Sequence, residues 1–258
     1  MKRSFTIWAA ALALGSAPLG SLAFAQNQTR AADARQILTS AAAEGKYTFI
    51  LFYKDRGAAT RKMAQTMKRH LADRGDEATI AYVDATHPTQ RALVDRYKVG
   101  RAPMPLAISV APNGAVTGLY AAKISDRQIA DAFVTPKMAQ CMKSMQDGRL
   151  VFVCVCATAD ATLPQGVRDF RADPQFKGRA DVVSIRADDP AETDFLEQLK
   201  IDPQSVRDTT TAFLAPPAVL VGKYGPSATK KEIAAALHAA GKCCNDPNCK
   251  HNHGHKAH

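Results

Sequence analysis

The chain has 258 residues, 46% hydrophobic and 22% charged, with 15 Gly, 14 Pro and six Cys. That much apolar material can bury one large core or two small ones, and it excludes whole-chain disorder, collagen-like structure and a disulfide-built mini-scaffold. The formal charge of +10 permits contact with anionic surfaces but says nothing about fold.

Lys2 and Arg3 form a charged start, an apolar stretch from about Phe5 to Leu14 follows, and Ala23-Phe24-Ala25 supplies a small-x-small pattern before Gln26. This order predicts an export signal over residues 1–25, cleaved to leave a periplasmic or secreted protein. The apolar centre is interrupted by Gly15, Pro18 and Gly20 and is short of the roughly 20 residues of a membrane helix. No membrane span is expected after cleavage. Loss of Lys2 and Arg3 takes the charge from +10 to +8, and the remaining cations are scattered singly, which argues against nucleic-acid binding.

Residues 30–45 have helical spacing (Ala34, Ile37, Leu38, Ala41, Ala42) and stop at Gly45. Residues 47–53, YTFILFY, read as a strand buried on both faces. A helix is predicted from about Ala58 to Ala72, with Met63, Met67 and Leu71 as its packing stripe, then a strand over 78–85 and a helix from Pro88 to Tyr97. LAISVA and AVTGLY flank Pro112-Asn113-Gly114, a hairpin turn. A last helix begins near Ser125, and its pattern runs past Pro136 towards Met145, so Pro136 should kink or split it.

The second half repeats the order. Strand candidates are RLVFVCVCA (149–157), ADVVSIRA (180–187), TTAFLA (210–215) and, beyond Pro216-Pro217, AVLVGKY (218–224). Helical segments cover about 164–173, 190–200 and 229–240. Strand-helix-strand-helix-strand-strand-helix, twice, predicts an α/β protein of two tandem units, 26–147 and 148–241, followed by a tail, 242–258.

Tyr97-Lys98-Val99-Gly100-Arg101-Ala102-Pro103, placed before the first hairpin strand, resembles the approach to the cis-proline in the thioredoxin-fold family. The resemblance covers residues 30–145 and extends to 149–240 through element order, because Thr209-Thr210-Thr211 has no proline at the equivalent place. It implies two thioredoxin-like domains in tandem, with Pro103 as the cis residue; Pro105 departs from the usual pattern and leaves the choice of proline open. The family's thiol–disulfide exchange needs two cysteines at the start of the first helix, where the helix dipole favours a thiolate. Here that stretch is Asp55-Arg56-Gly57-Ala58-Ala59-Thr60-Arg61-Lys62, and in the second half Thr158-Ala159-Asp160-Ala161-Thr162-Leu163. Neither contains Cys, and Thr60 has no paired base in the sequence nearby, so both sites should lack the family's chemistry.

Cys154 and Cys156 lie two apart on one strand and therefore share a face, a poor geometry for bonding to each other. A bridge from Cys141 to either, or inert packing of all three thiols, are the open alternatives. The densest chemistry is in the tail, GKCCNDPNCKHNHGHKAH. It holds Cys243, Cys244, Cys249, His251, His253, His255 and His258: three of the six Cys and four of the seven His. Asp246-Pro247-Asn248 should turn Cys249 back towards the Cys pair, and Lys242 and Lys250 favour thiolates. Thiolate and imidazole donors suit zinc or copper; a Cys244–Cys249 disulfide would remove two of them. The expected function is an exported, non-catalytic thioredoxin-like protein whose tail binds zinc or copper, and whose grooves beside the proline loops could hold an extracytoplasmic protein or peptide. The rivals are a thiol–disulfide oxidoreductase using non-standard cysteines and a structural envelope protein.

Overall fold

Each half opens on an apolar run whose consecutive side chains must all be buried, and the computed structural model places each run inside a sheet. It describes residues 34–158 and 161–241. Helix α1 (34–43) is followed by β1 (Tyr47–Tyr53), α2 (Ala58–His70), β2 (Ala78–Asp84), α3 (Arg91–Arg96), β3 (Leu106–Val110), β4 (Val116–Ala121) and α4 (Asp126–Ala130). Then come α5 (Pro136–Gln146), β5 (Leu150–Cys156), α6 (Gln165–Ala172), β6 (Ala180–Arg186), α7 (Thr193–Gln198), β7 (Thr209–Ala215), β8 (Val219–Tyr224) and α8 (Lys230–Ala239). The expected helix at 88–97 begins as a 3-10 turn over Pro88–Gln90, capped by His87. Pro136 does split the long C-terminal pattern: α4 ends before it and α5 starts on it, with Thr135 as N-cap.

The two four-stranded sheets have the same order, β2-β1-β3-β4 and β6-β5-β7-β8. In each, the first two strands are parallel and the rest antiparallel, and each hairpin carries an irregularity at the same place, Ser109/Val110 and Phe213/Leu214. These are two thioredoxin-like domains in tandem. In the first, Phe49 and Leu51 face α2 and α4, and Ile50 and Phe52 face α1 and α3. In the second, Phe152, Phe170 and Phe213 fill one face, and Val151, Val153 and Val155 the other. The rings of Phe152 and Phe213 stack at 4.3 Å, and Phe170 meets both edge-on.

Helix α5 serves both domains. Its Ala139 packs with Ala111 and Ala115 at the first hairpin turn, while Cys141 and Met145 enter the second core. Glu192, 2% exposed, completes the joint: the Thr135 hydroxyl donates to its Oε2, and the Lys137 backbone N–H donates to Oε1 at 2.9 Å. A carboxylate from the second domain thus caps the helix that leads into it, where the helix dipole favours negative charge.

One expectation is corrected here, and of the two alternatives for the core cysteines inert packing is the one found. The cis bond is Met104–Pro105, not Ala102–Pro103, and Pro105 immediately precedes β3. Cys141 has no route to Cys154 or Cys156. It packs on the valine face of β5, whereas both strand cysteines point to the phenylalanine face, so the sheet itself separates them. All three are free and buried.

Candidate functional site

In a parallel-first α/β sheet, ligands and chemistry gather beyond the carboxyl ends of the strands. In the first domain that end is Tyr53, the loop Lys54–Gly57 and the start of α2. Gly57 is the N-cap, and Asp55 turns its own loop by accepting the Gly57 N–H at 2.6 Å. Arg61 donates to the Arg56 carbonyl at 2.6 Å, and the Arg56 guanidinium lies over the Tyr53 ring at 6.0 Å. Thr60 is buried in the first turn. Arginine and a capping loop thus occupy the position where a redox-active member of the fold needs a thiolate.

In the second domain β5 ends at Cys156, and the helix α6 starts after Pro164. Register places Thr209 opposite Cys156 and Thr211 opposite Cys154. Each pair makes a thiol–hydroxyl contact of 3.7 Å: Thr209 donates to the Cys156 sulfur, while either partner can donate between Cys154 and Thr211. Matching the two hairpins through their bulges puts Thr209 at the place of Pro105, and Cys156 at that of Tyr53. Cys156 is therefore the one described thiol at a strand end, 7% exposed and roofed by a threonine.

Burial pushes the Cys141 thiol up to about 12, with the Glu192 charge adding to the effect. Burial also pushes Cys154 up to about 11, against the opposing bond from Thr211. At neutral pH the thiolate fraction at such values is roughly one part in ten thousand or less. These two thiols are apolar filling, and neither is a nucleophile or a ready metal ligand.

The predicted tail donors, Cys243, Cys244, Cys249, His251, His253, His255 and His258, lie outside the described residues, as does the predicted export signal. Among the described residues no group of three or more His, Cys, Asp and Glu is placed to hold a metal ion, and no helix is long and apolar enough to cross a membrane.

No family model matches the chain, and no curated protein matches it in sequence. Among solved structures, the chain is similar to the zinc-bound form of human ERp44 at 11% identity and TM-score 0.36, over 81% of this chain and 60% of that one. It is similar to ERdj5 at 16% identity and TM-score 0.29, over 81% of this chain but only 28% of that one. It is also similar to the first two thioredoxin domains of Saccharomyces cerevisiae Eps1p, at 11% identity and TM-score 0.30, over 74% of this chain and 91% of that one. The fold assignment itself is carried by the strand order and register of the two sheets.

Proposed function

We propose that the protein is exported and works as a metal-binding protein, in which two redox-inert thioredoxin-like domains carry a Cys/His tail that takes zinc or copper. The observation that carries the first half of this reading is the absence of a thiol from both strand-to-helix loops, 54–57 and 157–164. The second half rests on the donor set of Cys243, Cys244, Cys249, His251, His253, His255 and His258. Sulfur and imidazole nitrogen are the ligands these ions prefer, and calcium or magnesium would call for oxygen.

Ligation needs deprotonated thiols and neutral imidazoles, so affinity should fall as pH drops below about 6. Under reducing conditions copper(I) would lean on the thiolates; under oxidising conditions the imidazoles would hold copper(II). The test is calorimetric titration of the untagged mature protein with each ion, beside a form ending at Gly241. Binding confined to the longer form, with closely similar thermal melts for the two, is the expected result. Equal binding by both forms would remove the tail from the reading. Reduction of a model disulfide by the metal-free protein, lost on replacing Cys243, Cys244 and Cys249 by Ser, would instead make it an oxidoreductase.

A further inference from the structure

The first sheet ends, among the described residues, at β2, and the space around that edge is a groove of about 820 Å³. Ala34 and Ile37 of α1, Thr60, Arg61, Ala64 and Lys68 of α2, and Tyr82 and Asp84 of β2 line it together, and among the described residues β2 has a ladder partner on one side only, β1. β2 reads ATIAYVD, without the Lys or Pro that commonly guards an exposed edge.

The walls are cationic and aromatic. Arg56, Arg61 and Lys68 line the groove, all exposed, and none is ion-paired to a carboxylate among the described residues. Lys68 stands over the Tyr82 ring at 5.8 Å, as Arg56 does over Tyr53, and Tyr82 keeps 37% of its surface exposed. The single carboxylate in the lining, Asp84, is turned to the neighbouring Thr86, accepting from its N–H at 2.9 Å and its hydroxyl at 2.6 Å. Helix α2 as a whole carries five basic residues and no acidic one, AATRKMAQTMKRH.

We propose that this groove docks an extended acidic segment of a partner protein, which pairs with the open edge of β2 and sets its carboxylates against Arg56, Arg61 and Lys68. The edge supplies backbone hydrogen bonds, the tyrosines supply apolar contact, and the unpaired cations select the sign of the guest's charge. In the mature protein proposed above, the residues ahead of Ala34 are QNQTRAAD, with one Arg, one Asp and no large apolar side chain, so they match the groove in neither charge nor bulk. No residue of the Pro105 loop is in the lining, and the proposal is independent of the tail.

The experiment uses the full mature protein and fluorescein-labelled peptides of sequence (Glu-Val)4 and (Lys-Val)4, followed by anisotropy. The acidic peptide should bind, weaken as salt is raised, and lose at least about tenfold in affinity when Arg61→Glu and Lys68→Glu are combined. Arg61→Lys with Lys68→Arg should restore most of it. Both positions are exposed, so a variant that still melts like the parent remains a fair test. Equal binding of (Lys-Val)4, no loss on charge reversal, or no binding at millimolar peptide would overturn the proposal. So would β2 amides already protected from hydrogen exchange along their outward edge in the free protein, because the chain itself would then cover the groove.

Discussion

Removing Glu192 should unfasten the tandem at its joint. The carboxylate is 2% exposed and accepts from the Thr135 hydroxyl and from the Lys137 N–H, at 2.9 Å for the latter. Hydrogen bonds to a buried charged acceptor contribute about 1.5–3 kcal/mol, and donors left without a partner add a desolvation cost. Release from burying a charge offsets part of this. The expected net loss for Glu192→Ala is therefore about 2–4 kcal/mol. Glu192→Gln retains an acceptor for Lys137 and gives up the charge, so it should lose about 0.5–1.5 kcal/mol. For roughly 200 ordered residues each kcal/mol moves Tm by about 2–4 °C, so the alanine variant should melt about 4–16 °C below the parent, with glutamine between. Far-UV circular dichroism on heating and in urea measures both. A second arm combines Glu192→Ala with Thr135→Val, whose separate costs should fail to add because they remove one shared contact. An alanine variant melting within about 2 °C of the parent, or strictly additive costs, would refute the reasoning.

Gly166, the second residue of α6, has no room for a side chain: a Cβ there would sit 2.1 Å from the Ala228 carbonyl oxygen. Gly166→Ala should therefore cost about 1–3 kcal/mol in urea unfolding, whereas Gly75→Ala, with nothing within 4 Å, should be neutral or slightly stabilising. Lys98 and Lys200 hold left-handed backbone with φ of 54° and 53°, so Lys98→Gly and Lys200→Gly should each raise stability by about 0.5–1 kcal/mol. Cys141 and Cys154 keep their protons up to about 12 and about 11 in the fold, against an ordinary value of 9.0. The native state thus binds more protons than the unfolded chain above pH 9. Their contribution is complete below that pH and is lost as pH rises through the folded values. Urea midpoints at pH 8 and pH 10.5 should differ more for the parent than for the Cys141→Ala, Cys154→Ala double variant.

The strands were legible because runs such as YTFILFY and RLVFVCVC bury both faces, and the break at Pro136 because a proline interior to a helix cannot be tolerated. The cis-proline was not legible. Two prolines two residues apart both suit extended chain, and only the register, with Leu106 opposite Phe52, shows that Pro105 abuts the strand. Alternation along β5 correctly placed Cys154 and Cys156 together, yet no strand pattern says which face a neighbouring helix covers. The sequence therefore leaves a Cys141 bridge open, and the packing of α5 on the valine side closes it. Glu192 was missed because a Glu in an amphipathic helical stretch reads as solvated surface; its partners, Thr135 and Lys137, are more than fifty residues away. The same holds for Arg56, Arg61 and Lys68, whose shared groove exists only once β2 is known to be the end of its sheet.

What the two domains repeat, and where they part, separates folding requirements from function. Gly45 and Gly148 end α1 and α5 in left-handed backbone, and the next residue bonds back five positions, Lys46 to Ala41 and Arg149 to Ser144. Lys98 and Lys200 do the same for α3 and α7, which seats Val99 and Ile201 in their cores. Ser125 with Gln128, and Thr229 with Glu232, form matching capping boxes. Tyr120 and Tyr224 each lie against a glycine two residues earlier on the same strand, Gly118 and Gly222, where a Cβ would approach the phenolic oxygen to 1.9 and 2.7 Å. All of these are solutions to helix endings and strand packing. The divergence is concentrated at the strand ends, where Tyr53, Arg56 and Pro105 in one domain stand against Cys156, Ala157-Thr158 and Thr209 in the other. The framework is shared while the end that would carry thiol chemistry goes two different ways, neither with a paired cysteine: in the first domain that end is Tyr53, Arg56 and Arg61, which also line the basic groove.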